Sequence, residues 1–276
     1  MRRPFLDEPI TPLAIWSARL ALFAVAVAAL SVIIVRSGLL DIGPALATFA
    51  AALLFAAAAI LLGLASFVAI WRNGAPGLGR ALAGLLLGAA LLGYPAYLAA
   101  RAVKLPEIND VTTDFVNPPR FDVLARLRPP GRVNYPARFA ESQRKAYPDI
   151  VPLQADLSVR QAYDQALKVV TKRKWLVVDA HTPSPSHRQG VIEAVARTPI
   201  MGFRDDVVVR VTPLGDGSRI DVRSASRYGL SDFGANAKRI AALLTDIDET
   251  ASEVAQPRAE EKTPAKPADN RQQRRR

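Results

Sequence analysis

The chain contains no cysteine among its 276 residues, so disulfide bonds, thiol nucleophiles and cysteine metal sites are excluded. Histidine is nearly as scarce: His181 and His187 are the only two, and both lie in a segment rich in proline and serine. A catalytic zinc site normally adds a third protein ligand in fixed geometry, and no such spacing surrounds this pair. We therefore expect two exposed loop histidines, with no metal and no cofactor, and assign no catalytic residue.

Charged side chains are rare between Leu13 and Ala100, where apolar residues dominate. A helix needs about 20 apolar residues to cross a hydrocarbon core of about 30 Å. Three runs meet this length, at about residues 13–35, 44–71 and 81–100. Each run is apolar on every face, which is typical of a membrane span rather than of an amphipathic core helix. The sequence therefore predicts a membrane anchor of three transmembrane helices within residues 1–105.

The basic residues that flank these runs predict the orientation of the anchor, because cytoplasmic loops carry more Lys and Arg than external ones. A cytoplasmic N-terminus gives five basic residues on the cytoplasmic side and three on the other side: Arg2, Arg3, Arg19, Arg72 and Arg80 against Arg36, Arg101 and Lys104. We therefore expect a protein of the bacterial inner membrane whose C-terminal domain, after three spans, faces the periplasm.

A net charge of +11 raises the question of nucleic-acid binding, and the position of the charge answers it. Residues 149–250 carry fourteen basic and thirteen acidic side chains and are nearly neutral. The excess lies at the membrane flanks and near the C-terminus, whereas a nucleic-acid-binding domain carries a basic patch of its own. The expected partner is the lipid bilayer, and no nucleic acid is expected.

Two segments around the expected domain have biased compositions. Residues 106–148 contain seven prolines, which exclude long helices and central strands and predict a proline-rich linker between the membrane and the domain. Residues 251–276 are rich in Pro, Lys, Glu and Ala and end in three arginines. Such a segment buries too little apolar surface to fold, so it is predicted to be a disordered basic tail.

Residues 149–250 show first a helical and then a strand pattern, which predicts an α+β domain. A helix is expected up to about Lys172, since apolar residues recur there at helical spacing. Short turns then separate four strands, at about residues 174–180, 190–197, 205–212 and 219–227, and a last helix ends near Asp248. The expected fold is α+β, with a small antiparallel sheet of about four or five strands and two helices packed on one face.

The join between the last strand and the last helix contains the candidate binding site. Alternation along the strand puts Arg223 and Arg227 on one face. Guanidinium groups beside a helix N-terminus suit a phosphate or carboxylate, although Asp232 can cap the same N–H groups and so opposes this interpretation. The ligand-binding residues predicted on this basis are Arg223, Ser224, Ser226, Arg227, Tyr228 and Asn236.

The same charged residues also permit an interpretation without a ligand. Opposite charges on neighbouring strands commonly pair across a sheet, so these arginines are also compatible with an internal ion-pair network, which is the ordinary role of such pairs. Its further members would be Asp205, Asp206, Arg210 and Asp221. An enzyme is the remaining alternative, and it should bring at least two of the carboxylates of Asp205, Asp206 and Asp232 into one pocket.

Residues 146–240 carry long motifs that resemble a known family. The motifs are AYPDIVPL from Ala146, IEAVARTPIMGFRDDVVVRV from Ile192 and IDVRSASRYGLSDFGANAKRI from Ile220, together with Trp175. They resemble the bacterial and plastid family of domain of unknown function 1499. The resemblance implies a membrane-anchored, lipid-anchored or exported protein and implies no activity.

The function expected from these observations is that of a membrane-anchored envelope protein. Its domain is expected to be a binding or accessory module, rather than an enzyme, for an anionic envelope ligand or an envelope protein. An enzyme of unknown reaction is the first alternative. A transporter component is the second, and it is disfavoured because no acidic residue lies inside the three apolar runs.

Overall fold

The three apolar runs form long helices, α1 (Pro12–Ser37), α2 (Ile42–Asn73) and α3 (Leu78–Ala102), in a computed structural model that describes residues 10–38, 42–128 and 130–255. The helices run up, down and up. The start of α1 lies beside the connection between α2 and α3, where the Thr11 N–H donates to the Pro76 carbonyl. By length and composition all three can cross a membrane. The chain therefore begins with a membrane-associated helical bundle.

Small side chains bring these three helices into close contact. The buried side of α1 is formed mainly by alanine and serine, and the Ser17 hydroxyl donates to the Ala59 carbonyl of α2 at 2.8 Å. Two glycines of α3 face the same junction: a Cβ on Gly84 would lie 1.9 Å from Ser17 Oγ, and one on Gly88 would lie 2.7 Å from Ile60. The small residues thus pack the bundle, and leucines remain on the outside for lipid.

A six-stranded antiparallel sheet forms the centre of the second part of the chain, in the order β1-β6-β5-β4-β3, with β2 also paired to β6. The strands are β1 (Asp110–Thr112), β2 (Leu153–Ala155), β3 (Leu176–His181), β4 (Gly190–Arg197), β5 (Arg204–Leu214) and β6 (Gly217–Ser226). Three helices accompany the sheet, namely α4 (Phe139–Ala146), α5 (Val159–Lys172) and α6 (Ala235–Ala255). The expected α+β architecture with an antiparallel sheet is confirmed.

One face of the sheet packs against α5 and α6 and forms the main hydrophobic core. Valine, isoleucine and alanine side chains of β4, β5 and β6 meet the apolar sides of the two helices there. A capping box starts α5, since Ser158 and Gln161 exchange side-chain and backbone hydrogen bonds. The first five residues of the predicted disordered tail, 251–255, are helical in the structure and form the last turn of α6. The remainder of the predicted tail, 256–276, lies outside the described residues.

The other face of the sheet is covered by residues 113–128 and 130–135, a mostly irregular segment with one short 3-10 helix, Leu124–Leu127. Its Phe121 and Leu124 are buried against Val195, Val208 and Ala225. This differs from the predicted linker over 106–148, because β1 pairs with β6 and the segment after it belongs to the folded domain. The prolines do prevent long helices here, but a chain with little regular hydrogen bonding can still pack against a sheet. Proline content alone therefore cannot distinguish an extended linker from a segment that packs on the domain.

Candidate functional site

Alternation along β6 divides the predicted binding residues between the two faces of the sheet. Arg223 and Arg227 point toward the covering segment, and both are buried. Ser224 points toward α6, where its hydroxyl donates to the Asn236 side chain at 2.7 Å. The structure therefore does not bring the six predicted residues together in one pocket.

Arg223 makes a buried, two-pronged ion pair with Asp110 of β1. Its Nε and Nη2 atoms donate to the two carboxylate oxygens at 3.0 and 2.7 Å, and the remaining donors reach the carbonyls of Pro119 and Val133. The guanidinium also lies over the Phe121 ring, 4.7 Å from its centroid. Burial raises the pKa of Asp110, and the hydrogen bonds and charge of Arg223 act in the opposite direction. Every side of this guanidinium group is thus already occupied by protein.

Asp206 of β5 holds two arginines at once. Arg227 Nη2 and Arg128 Nη1 lie 2.8 and 2.7 Å from its two carboxylate oxygens, and all three side chains are almost completely buried. Arg128 comes from the covering segment and donates further to the carbonyls of Ala225, Ser226 and Arg132. Two buried guanidinium groups therefore share one carboxylate and tie the covering segment to the sheet.

Polar contacts on the helix side of the sheet join β6 and β5 to the start of α6. The Asn236 amide donates to Ser226 Oγ at 3.1 Å, and Arg239 donates to Ser224 and to Asp205. These side chains are buried or nearly so. Ser224, Ser226 and Asn236 thus hold α6 against the sheet.

Asp221 has a third set of ion pairs, near the far end of the strands. Arg210 and Arg219 donate to it at 3.1 and 2.9 Å, and both also pair with Asp114. Burial acts to raise the pKa of Asp114, but backbone N–H groups two and three residues further on and the two arginines outweigh burial and lower this pKa. The carboxylates of the predicted network therefore each face at least one guanidinium group.

The loop between β6 and α6 serves mainly to start the helix. Asp232 accepts hydrogen bonds from the N–H groups of Gly234 and Asn236, so its carboxylate occupies the helix N-terminus. Burial is the main cause that raises the pKa of Asp232. The last predicted binding residue, Tyr228, lies in the same loop, and 47% of its surface is exposed. An anion at the N-terminus of α6 would have to displace Asp232.

A cavity of about 260 Å³ is lined in part by Asp110, and Arg223 is not among its lining residues. Its polar lining is Asn109, Asp110, Arg128, Arg132, Asn134, Tyr135 and Arg138, and its apolar lining includes Pro136, Phe139 and Leu230. Burial, followed by the charge of Asp110, raises the pKa of Tyr135, which keeps its hydroxyl protonated. The lining thus contains three guanidinium groups and one carboxylate, and that carboxylate is already bound by Arg223.

The two histidines lie away from this cavity, in and after β3. His181 contacts Asp179 at 2.8 Å, and His187 contacts Ser186; both histidines are exposed. Within residues 10–38, 42–128 and 130–255, no group of three histidine, aspartate or glutamate side chains is arranged to hold a metal ion. The loop position expected for His187 agrees with the structure, while His181 is the last residue of a strand.

Sequence reasoning missed Asp110, Arg128 and Arg132, because all three lie in the segment predicted as a linker. One signal was available: the run Val-Thr-Thr at 111–113 consists of β-branched residues, which favour strands. This run overlaps β1, and it would have placed the predicted start of the domain near residue 110 in place of residue 149. Nothing in the sequence around Arg128 indicates that its guanidinium group is buried.

Comparison with known proteins gives a family for the second part of the chain. Residues 110–247 match the family described as "Protein of unknown function (DUF1499)", and this range starts at β1 and ends within α6. No curated protein matches the chain. The solved structure of CalU16 from Micromonospora echinospora is similar over 38% of this chain and 78% of the CalU16 chain, with 16% sequence identity. Its TM-score of 0.23 is too low to support an argument about fold or function. The match over half of the chain shows that this protein belongs to the DUF1499 family.

Proposed function

We propose that the protein is a non-enzymatic binding module of the bacterial inner membrane, whose domain faces the periplasm and holds an anionic ligand in the cavity beside Asp110. The observation that carries this proposal is the composition of the lining. Three arginines face the cavity against one carboxylate, and Arg223 already engages that carboxylate. A phosphate or carboxylate group fits such a surplus of guanidinium donors.

The arginines divide into a supporting set and a contacting set. Arg223 and Arg227 hold buried carboxylates, and Arg128 is tied to Asp206, so these three fix the wall of the cavity. Arg132 is half-buried and Arg138 is exposed at the rim. The contacting set therefore consists of Arg132 and Arg138, with the amide of Asn134 in the same lining. The ligand site proposed from the sequence is thus displaced from β6 to the segment that covers it.

An enzyme is not the preferred alternative, because the three candidate carboxylates do not meet in a pocket. Asp205 and Asp206 are adjacent along β5 and point to opposite faces of the sheet, toward Arg239 and Arg128. Asp232 caps α6. None of the three lines the cavity. The geometry offers donors for binding an anion, and the one carboxylate of the lining, Asp110, is already bound by Arg223.

Neutralising the rim of the cavity is expected to weaken anion binding without loss of the fold. In the full-length protein in detergent micelles, the change Arg132→Gln with Arg138→Gln should weaken binding of glycerol phosphate, or of short-chain phosphatidylglycerol, by about tenfold or more, since a hydrogen bond to a charged group contributes about 1.5–3 kcal/mol. Titration calorimetry measures both probes, and it separates a free anion from a lipid head group.

The matched control is Arg188→Gln, an exposed arginine in the loop between β3 and β4. It should leave both affinities unchanged. The proposal is wrong if the wild-type protein binds neither probe, or if Arg188→Gln weakens binding as much as the double change does. Preference for the phosphatidylglycerol probe would identify a lipid as the source of the anion.

The proposed orientation rests on the flanking arginines and on the geometry of the bundle. The C-terminal ends of α1 and α3 both contact the domain, through Arg36 and Arg101, so an outward domain requires a cytoplasmic N-terminus. Alkaline phosphatase fused after Lys104 or after Arg276 should be active, and a fluorescent protein at the same positions should be dark. A bright fluorescent fusion with inactive phosphatase would place the domain in the cytoplasm.

A further inference from the structure

One end of the domain rests directly on the C-terminal end of α1. Arg36 Nη1 donates to the carbonyls of Pro199 and Ile200 at 2.7 and 2.9 Å. In return, Arg197 Nη1 donates to the Arg36 carbonyl at 3.2 Å. The turn between β4 and β5, residues 198–203, therefore lies at the level where the first apolar helix ends.

The loop between β6 and α6, residues 228–234, lies at the same end, against the chain that leaves α3. The Asp232 N–H donates to the Ile108 carbonyl, and the Asn109 amide donates to the Gly229 carbonyl at 2.7 Å. Arg101 of α3 lies 3.5 Å from the position that a Cβ on Gly234 would occupy. The two segments, 198–203 and 228–234, are hereafter called the anchor-side loops.

The anchor-side loops expose large apolar side chains. Ile200, Tyr228, Leu230 and Phe233 are 45%, 47%, 68% and 37% exposed. In the described part of the domain, from residue 110 on, Tyr228 and Phe233 are also the only aromatic side chains that are more than about a third exposed. Tyrosine and tryptophan concentrate at the membrane–water boundary, where an apolar ring with a polar edge is favoured, and Tyr228 has such a ring.

The backbone of the loop 228–234 holds Phe233 in a strained conformation. Phe233 has a φ of 52°, a left-handed conformation that is unusual for a bulky residue. Gly229 and Gly234, on either side, also have positive φ, and the Asp232 cap fixes the loop. Strain of this kind persists where the surrounding structure enforces it, often at a functional surface.

Basic side chains surround the exposed apolar ones. Arg36, Arg101 and Lys104 lie at the helix ends, and Arg197 and Arg204 lie at the ends of β4 and β5; all five are exposed. Guanidinium and ammonium groups at this level suit anionic head groups, and each contributes about 1 kcal/mol near a charged surface. The combination of apolar tips with a basic surround is typical of a surface that lies in a bilayer interface.

We infer that the anchor-side loops insert into the outer interface of the bilayer, with Ile200, Tyr228, Leu230 and Phe233 among the lipid head groups and acyl chain ends. The occupant of this apolar surface is the lipid bilayer itself, because the surface is continuous with the ends of α1 and α3. The domain is then a membrane-lying module, and is not held away from the bilayer by a spacer. Leu230 also lines the cavity, so its insertion would bring the cavity close to the head groups.

The absence of cysteine from the chain allows a direct depth measurement. Leu230→Cys and Tyr228→Cys are each labelled with an environment-sensitive fluorophore in the full-length protein, in nanodiscs of phosphatidylcholine and phosphatidylglycerol. Spin-labelled lipids quench the fluorophore where it enters the interface. We expect quenching to remove roughly half of the emission or more, because interfacial elements lie about 5–10 Å into the head-group and acyl boundary.

Leu214→Cys is the matched control. Leu214 is 43% exposed and lies at the turn between β5 and β6, the end of these strands opposite to the anchor-side loops. Its label should not be quenched. Equal quenching at positions 230 and 214 would overturn the inference. So would a blue-shifted label at 230 that lipids do not quench, because a protein would then cover the surface. This result is independent of anion binding, so it separates failure of the inference from failure of the proposed function.

Discussion

Replacement of Asp206 by alanine is expected to lower the unfolding free energy of the domain by about 3–5 kcal/mol, a large part of the stability of an ordinary domain. Asp206 is the shared partner of Arg128 and Arg227, and all three side chains are nearly inaccessible to water. Alanine would leave two buried positive charges without a counter-charge. The covering segment, which Arg128 ties to the sheet, should detach first.

Urea unfolding of the full-length protein in detergent measures this loss. The protein has three tryptophans, and only Trp175 lies in the domain. Trp16→Phe and Trp71→Phe therefore give a background in which fluorescence reports the domain alone. In this background, Asp206→Ala should shift the midpoint strongly to lower urea, and Asp206→Asn should shift it less, because the amide oxygen still accepts a hydrogen bond.

Asp164→Ala provides the matched control for the loss of an aspartate. Asp164 pairs with Arg160 at 3.1 Å on the surface of α5, and its side chain is 48% exposed. Exposed pairs of this kind contribute about 0.2–1 kcal/mol, so the midpoint should barely move. A loss at Asp206 no larger than that at Asp164 would show that the shared carboxylate does not hold the covering segment.

The anchor and the general architecture could be predicted from the sequence because each depends on local patterns. An apolar run of 20 residues has to be a helix if it lies in hydrocarbon, and small residues such as Gly84 mark where helices approach. The strands of the hairpins were recognisable because short turns connect them. These signals require no knowledge of which distant residues meet.

The site could be predicted only in part, because its partners are distant in sequence. Alternation puts Arg223 and Arg227 on one face of β6, as the structure also shows, but Asp110 lies 113 residues away from Arg223. Arg128 likewise reaches Asp206 from the end of a short 3-10 helix in the covering segment. A pattern along one strand gives the direction of a side chain. It does not tell whether a ligand or a remote carboxylate will meet it.

The second large effect is expected at the pair of Arg223 and Asp110. Arg223→Met leaves the Asp110 carboxylate buried without its guanidinium and should cost about 3–5 kcal/mol. Asp110→Asn leaves the arginine charge unpaired and should cost a similar amount. The double change removes both charges, and its cost should be well below the sum of the two single costs, since a neutral replacement of a buried pair is often tolerated.

The pH dependence of Arg223→Met provides the most specific test of this pair. Burial already raises the pKa of Asp110 above its ordinary value of 3.8, and loss of Arg223 removes the main opposing influence. The folded state then binds the proton more tightly than the unfolded state, so the contribution of Asp110 to stability is fully present below pH 3.8 and is lost as the pH rises through the folded pKa.

The midpoint of Arg223→Met should therefore approach that of the wild type as the pH is lowered from 7 toward 4.5. Protonation neutralises the stranded carboxylate over this range, whereas the double variant with Asp110→Asn has no such group and should show no recovery. Parallel pH profiles for the single and double variants would mean that the cost at Arg223 comes from its lost hydrogen bonds to Pro119 and Val133 and not from the ion pair. Recovery confined to the single variant would locate the stabilising charge interaction between β1 and β6, and would show that the segment predicted as a linker is a structural part of the domain.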